Sequence, residues 1–109
     1  MRLRKELDEM QEKDIILIAR ISDALAHPAR IKIFRYIMAQ NKKRERVCNK
    51  DLVENFDYAQ ATISQHVKKL RDAGLIEGRK EDRFTYYYVH LGTLNDYLIA
   101  TKKFENMGS

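Results

Sequence analysis

The stretch Ala61-Thr62-Ile63-Ser64-Gln65-His66-Val67-Lys68-Lys69-Leu70, ATISQHVKKL, decides how the rest of the chain is read. Ile63, Val67 and Leu70 recur at steps of four and three, which places them on one face of a helix. At about 100° per residue, Gln65, Lys68 and Ala61 fall on the opposite side. Thr62 and Lys69 flank one edge of that polar face, Ser64 and Arg71 the other, and His66 lies close to the core edge. The polar face holds no acid until Asp72. Hydroxyl, amide and ammonium groups without carboxylates suit a surface pressed against phosphate. Gln side chains pair with adenine edges, and Ser and Thr reach bases or phosphates. Lys68, Lys69 and Arg71 would neutralise phosphate. The helix N-terminus at Gln60 would add free N–H groups and a positive dipole end. A solvated helix that happens to be poor in acid reads equally well from these residues alone, so the flanking elements carry the decision.

Those elements form a recognisable order. Leu3, Leu7, Met10, Asp14, Leu17, Ile21 and Ala24 make a heptad-like stripe with one polar member, which predicts a helix from about residue 3 to residue 25. Ile15, Ile18 and Leu25 give it a second apolar edge, so it should pack on its own domain and on something else. His27-Pro28 breaks that helix and starts the next. Ile31, Ile33, Phe34, Ile37 and Met38 are its expected buried face, with an end near Asn41. Asn49 serves as N-cap for a third helix carrying Leu52, Val53 and Phe56. The fourth helix runs from about Gln60 to Ala73, and Gly74 stops it. Leu75 and Ile76 begin a strand, Glu77 to Asp82 reads as a polar turn, and Phe84 to Val89 is rich in strand formers. Leu91, Leu94, Tyr97, Leu98 and Phe104 mark a last helix.

Four helices, a hairpin and a helix, with two short helices tightly linked before the hairpin, is the layout of a winged helix-turn-helix. The expectation is a mainly α fold with one β-hairpin in a single domain over residues 1–105. Within it lie a helix at 1–25, a helix-turn-helix at 49–73, a wing at 75–89 and a helix at 91–105, leaving 106–109 as a frayed tail. Gln60, Thr62, Ser64, Gln65, Lys68, Lys69 and Arg71 are the candidate DNA-binding residues of the fourth helix. Arg79, Lys80 and Arg83 are the candidates at the wing tip, where Glu81 and Asp82 also allow a solvated turn with internal ion pairs. Leu3, Leu7, Met10, Leu17, Ile21, Leu94, Tyr97 and Leu98 are the candidate dimer surface. Tyr86, Tyr87 and Tyr88 read as packing residues.

Composition agrees. The 109 residues suffice for one small domain, and 44% are hydrophobic. Lys plus Arg outnumber Asp plus Glu by 21 to 16, a formal charge of +5 that favours a polyanionic partner. Cys48 is the only cysteine, which excludes an internal disulfide. The charged N-terminus MRLRKELDEM lacks the apolar run of a signal peptide, and a cytoplasmic setting is expected.

Four blocks together resemble the ArsR/SmtB family of winged helix-turn-helix repressors. They are Ala24 to Ile33, Cys48 to Leu52, Gln60 to Val67, and Ala73 to Ile76, within a likeness that spans roughly residues 20 to 95. The resemblance implies a homodimer on a two-fold DNA operator, released by an inducer. Its metal sensors carry Cys-x-Cys near the third helix, where this chain reads Val47-Cys48-Asn49. A second family site uses Asp and His on the last helix, which here has Asp96 but no His after His90. Neither usual metal site is therefore expected, since tight zinc binding needs about four ligands, and no cofactor is implied. Ala59 and Asp82 stand where the family often has Ser and Gly.

Cys48 is the candidate redox switch, weighed against a small buried hydrophobe. Arg46 and Lys50, its neighbours, would lower its pKa if their side chains converge on it. His27, His66 and His90 read as three separate structural histidines. No Ser-His-acid arrangement or phosphate-cradling glycine loop points to an enzyme. The competing reading is a winged-helix protein-interaction module without specific DNA binding, and the inducer is unspecified.

Overall fold

A computed structural model of the chain describes residues 9–108. Five helices and a hairpin follow in the expected order: α1 Glu12–Ala24, α2 Pro28–Lys42, α3 Asn49–Asn55, α4 Gln60–Asp72, β1 Ile76–Glu81, β2 Phe84–Val89 and α5 Leu91–Met107.

Several boundaries differ from expectation for identifiable reasons. Helix α1 begins at Glu12 because the Gln11 N–H donates to the Asp14 carboxylate at 2.8 Å, which satisfies a free donor at the helix end. Met10 lies before that cap and outside the helix, and Leu3 and Leu7 fall outside the described residues. Helix α3 is capped one residue earlier than expected. Cys48, not Asn49, is its N-cap, and the Cys48 N–H donates to Asp51 at 2.8 Å. Asn49 is thereby freed for longer-range bonds. The polar segment expected as a turn is strand β1, and only Asp82 and Arg83 form the turn, since Glu81 pairs with Phe84. Asp82 has a φ of 57°, a left-handed conformation that Asp tolerates better than most residues. Helix α5 runs on to Met107, so Asn106 and Met107 are helical and not part of a frayed tail.

The stop after α4 follows its expected chemistry. Gly74 has a φ of +83°, its N–H donates to the Arg71 carbonyl, and the Leu75 N–H donates to the Leu70 carbonyl. This is the paired bonding of a glycine-terminated helix that hands the chain directly to a strand.

The core gathers Ile21, Ile33, Ile37, Val47, Leu52, Ile63, Leu70 and Leu75, each essentially excluded from solvent. Burying each such side chain contributes about 1.5–3 kcal/mol. Ile31 was expected inside, yet it is 49% exposed, and Ala29 takes the buried place on α2. Helix α1 packs on α5, and α2 packs on α4 and β2. Two links reinforce the first contact: Asp14 with Lys103, and the Ser22 hydroxyl with the Tyr97 hydroxyl at 3.1 Å. Among the described residues no helix is long and apolar enough to cross a membrane.

Candidate nucleic-acid interface

Helix α4 divides as its sequence dictates. Ile63, Val67 and Leu70 are buried, while Gln60, Ser64, Gln65, Lys68, Lys69 and Arg71 are exposed and Thr62 is half-buried. Ala59 offers no side-chain cap, so the N–H groups of the first turn have no side-chain acceptor there. Six of the seven candidates on this helix thus stand on the surface of the molecule.

Their surroundings separate them. Lys68 makes a 2.7 Å ion pair with Asp72 one turn on, so the only acid of the face is already matched. Both groups are largely exposed, and such pairs exchange readily for a phosphate. Lys69 makes no ion pair among the described residues. Arg71 turns away toward the wing: its guanidinium lies 6.0 Å from the Tyr87 ring centre and close to Gly78. Ser64 accepts a long 3.5 Å bond from the Asn49 amide of α3.

The wing also sorts its cations. Arg79 is not at the tip but inside β1, opposite Tyr86. It pairs with Glu77 at 2.9 Å and lies 4.4 Å over the Tyr88 ring. Lys80 and Arg83 are exposed at the tip end and make no ion pair among the described residues. Arg46 pairs with Glu81 at 3.2 Å, which holds its charge firmly, and sits 4.6 Å over Tyr86. The internal ion pairs expected of Glu81 and Asp82 do not form: Glu81 pairs outside the hairpin with Arg46, and Asp82 makes no ion pair among the described residues. The pair inside the hairpin is Glu77 with Arg79, and Lys80 and Arg83 are spared.

A groove of about 570 Å³ separates α4 from β2, lined by Asn49, Ser64, Lys68, Arg71 and Tyr87 among others. Cys48 is half-buried in a neighbouring hollow, beside Lys50, Arg83 and Phe84. Arg46 is held by Glu81 and Tyr86, so the convergence of Arg46 on the thiol does not occur.

Two of the three histidines are not separate. His27 and His66 have ring centres 4.8 Å apart, and Tyr58 meets His66 edge-on. His27 Nδ1 accepts the Ala29 N–H and caps α2. Burial, then the nearness of His27 and Arg30, lowers the His66 pKa from its ordinary value. Residues 39 positions apart in sequence gave no spacing signal for this pair. His90 caps α5 through the Thr93 N–H.

The candidate dimer residues also divide. Ile21 is fully buried in the chain's own core and has no surface left for a second chain. Leu17, Leu94 and Tyr97 are half-buried against that core. Leu98 is 54% exposed, in company with Ile15, Ile16 and Ile99, which the stripe had not singled out as dimer residues.

A family model described as a helix-turn-helix domain matches residues 25–79. An uncharacterized HTH-type transcriptional regulator, YceK of Bacillus subtilis, is 33% identical over 82% of this chain and 86% of its own length. The chain belongs to the helix-turn-helix transcriptional regulators. An uncharacterized HTH-type transcriptional regulator of Methanocaldococcus jannaschii is 31% identical over 65% of this chain and 75% of that protein. The arsenical resistance operon repressor of Staphylococcus aureus is 35% identical over 48% of this chain and 50% of that protein. An ArsR-like transcriptional regulator from Rhodococcus sp. RHA1 shares the fold, with a TM-score of 0.69, 21% identity, and coverage of 86% of this chain and 81% of that one. HlyU from Vibrio cholerae does so at a TM-score of 0.65, 22% identity, and coverage of 84% and 96%. The chain has a winged helix-turn-helix architecture similar to that of the ArsR-like regulators among these proteins. It is a DNA-binding transcriptional regulator and not an enzyme, and the interaction-module alternative is not favoured.

Proposed function

We propose that the chain acts as a cytoplasmic, homodimeric repressor that lays α4 into the major groove of a two-fold operator. The exposed face of α4 carries this reading: it holds a single acid, Asp72 in the last turn, and that acid is already paired with Lys68. Gln60, Thr62, Ser64 and Gln65 supply hydrogen bonds to base edges, and Lys68 and Lys69 neutralise phosphates. Lys80 and Arg83 extend the contact from the wing to the flanking backbone. Arg71 and Arg79 act chiefly by holding the wing, as their packing against it suggests.

The uncovered apolar surface of α1 and α5 supports the dimer. Ile15, Ile16, Leu98 and Ile99 are each about half exposed on two helices that pack together. Apolar clusters of that kind on a small soluble domain mark association surfaces. A paired molecule would present two α4 helices to successive major grooves.

Fluorescence anisotropy on DNA from upstream of its own coding region, against scrambled DNA, over a range of salt tests the reading. Gln65→Ala should cost about 1–3 kcal/mol on the preferred sequence alone. Lys69→Ala should weaken both DNAs and reduce the salt slope by about 1. Absence of binding to either DNA at low salt would refute it.

A further inference from the structure

Tyr87 is 4% exposed, yet every polar atom it has is engaged. Its N–H donates to the Val47 carbonyl at 2.8 Å, and its carbonyl accepts from the Asn41 amide at 3.2 Å. Its hydroxyl donates to Asn49 Oδ1 at 3.0 Å. Asn41 Oδ1 also accepts the Val89 N–H at 2.8 Å, so one Asn fastens two residues of β2 to the end of α2. Asn49 turns its other amide atom, Nδ2, toward the Ser64 hydroxyl on α4. Burial raises the Tyr87 pKa, which keeps the hydroxyl a donor throughout the neutral range. Packing supports the same connection: Arg71 of α4 lies over the Tyr87 ring and against Gly78 of β1.

A chain of contacts therefore runs from the wing to the exposed face of α4, through the 3.0 Å bond of Tyr87 to Asn49 and a long 3.5 Å one from Asn49 to Ser64. The bond accounting of the fold does not call for it. An apolar residue at 87 would fill the same core position, and an Asn is not required to begin α3 once Cys48 caps it. Hydrogen bonds between elements fix relative placement more sharply than apolar contact does, because they weaken steeply with distance and angle.

We propose that Tyr87 and Asn49 are positioning residues that set the wing against α4 and orient Ser64, and so determine how well the protein discriminates its operator. The proposal rests on the reading of α4 as the DNA-contacting helix. Wing and helix then engage DNA as one rigid unit, and loosening the bond chain costs discrimination more than general attraction to phosphate.

The test uses the full chain as wild type, Tyr87→Phe, Ser64→Ala and the double variant, with Gln65→Ala as the control for the underlying reading. Affinity is measured for a site selected from random DNA and for scrambled DNA, over a salt series, with Tm recorded for each protein. Tyr87→Phe removes one oxygen and keeps the ring in the core. Its ratio of selected-site to scrambled affinity should fall by about three- to tenfold, part of the value of a base contact. Scrambled-DNA affinity and the salt slope should stay as in wild type. Adding Ser64→Ala should lower the ratio little further, because both changes break one chain. An unchanged ratio in Tyr87→Phe, an equal loss on both DNAs, or additive losses in the double variant would each overturn the proposal while Gln65→Ala still loses discrimination. Should Gln65→Ala also leave discrimination intact, the reading of α4 falls and the proposal with it.

Discussion

The Lys103 ammonium lies 2.9 Å from the Asp14 carboxylate, with the two side chains only 14% and 11% exposed, and this pair ties the last helix to the first. It explains the single polar position in an otherwise apolar stripe. Asp14 faces inward because the Gln11 N–H and Lys103 both meet it there.

The Gln11 N–H first, and Lys103 next, hold the Asp14 pKa below its ordinary 3.8. The native state therefore keeps Asp14 ionised to lower pH than the unfolded chain does. Its contribution to stability is complete above the unfolded value and is lost as pH falls through the native one. Urea denaturation from pH 2 to pH 6 should show a steep loss in the acid range, and Asp14→Asn should flatten that slope. The same variant should unfold more easily at pH 7, since it leaves Lys103 partly buried and uncompensated. Equal pH slopes in the two proteins would refute the role of the pair.

His66 has the opposite charge type and the same direction of pH effect. Burial, with His27 and Arg30 nearby, lowers its pKa, so the native state resists protonating it. Stability from this group is full above about pH 6.5, the unfolded value, and declines as pH falls below it toward the lowered native value. Thermal melts between pH 5 and 7.5 should reveal the decline. His66→Gln should reduce it, and a wild-type Tm that is flat over that range would contradict it.

Gly78 lies where β1 passes under Arg71. A Cβ there would sit 2.8 Å from Thr85 Cγ2 and 3.1 Å from Arg71 Cζ. Arg71 is long enough to shift, but the Thr85 methyl is short and attached to a paired strand. Gly78→Ala should therefore destabilise the fold by about 1–3 kcal/mol, the usual range for overpacking. Chemical denaturation measures it, and a neutral result would mean that the hairpin yields at no cost.

Ile99 is 55% exposed on α5, beside a surface shared with α1. Ile99→Glu should leave the monomer folded, because the side chain lies outside the core. In sedimentation it should shift the proposed homodimer to monomer and weaken binding to the proposed two-fold operator. An unaltered dimer would remove Ile99 from the interface.

The order of elements was legible because it rests on local rules. Spacing of Ile63, Val67 and Leu70 decided α4, Pro28 and Gly74 marked boundaries by their backbone geometry, and β-formers from Phe84 to Val89 gave β2. The exposed face of α4 was also legible, since a helix with one buried stripe leaves only one other side. Boundaries failed where a side chain chose between two caps, as when Asp51 bonded Cys48 and displaced Asn49 from that role. The turn failed because polar residues on a strand with an open face resemble a loop in composition.

By itself, then, the sequence determined the winged helix-turn-helix order and the chemistry of the helix that faces outward, because helical periodicity and turn residues act within a few positions. Only the tertiary structure decided which cations remain free and which are bound to the wing. It also decided that Ile21 is core and not interface, and that His27 meets His66 and Asp14 meets Lys103. Those pairings join residues tens of positions apart, and they arise when packed helices bring distant side chains within bonding distance. No periodicity along the chain encodes that distance.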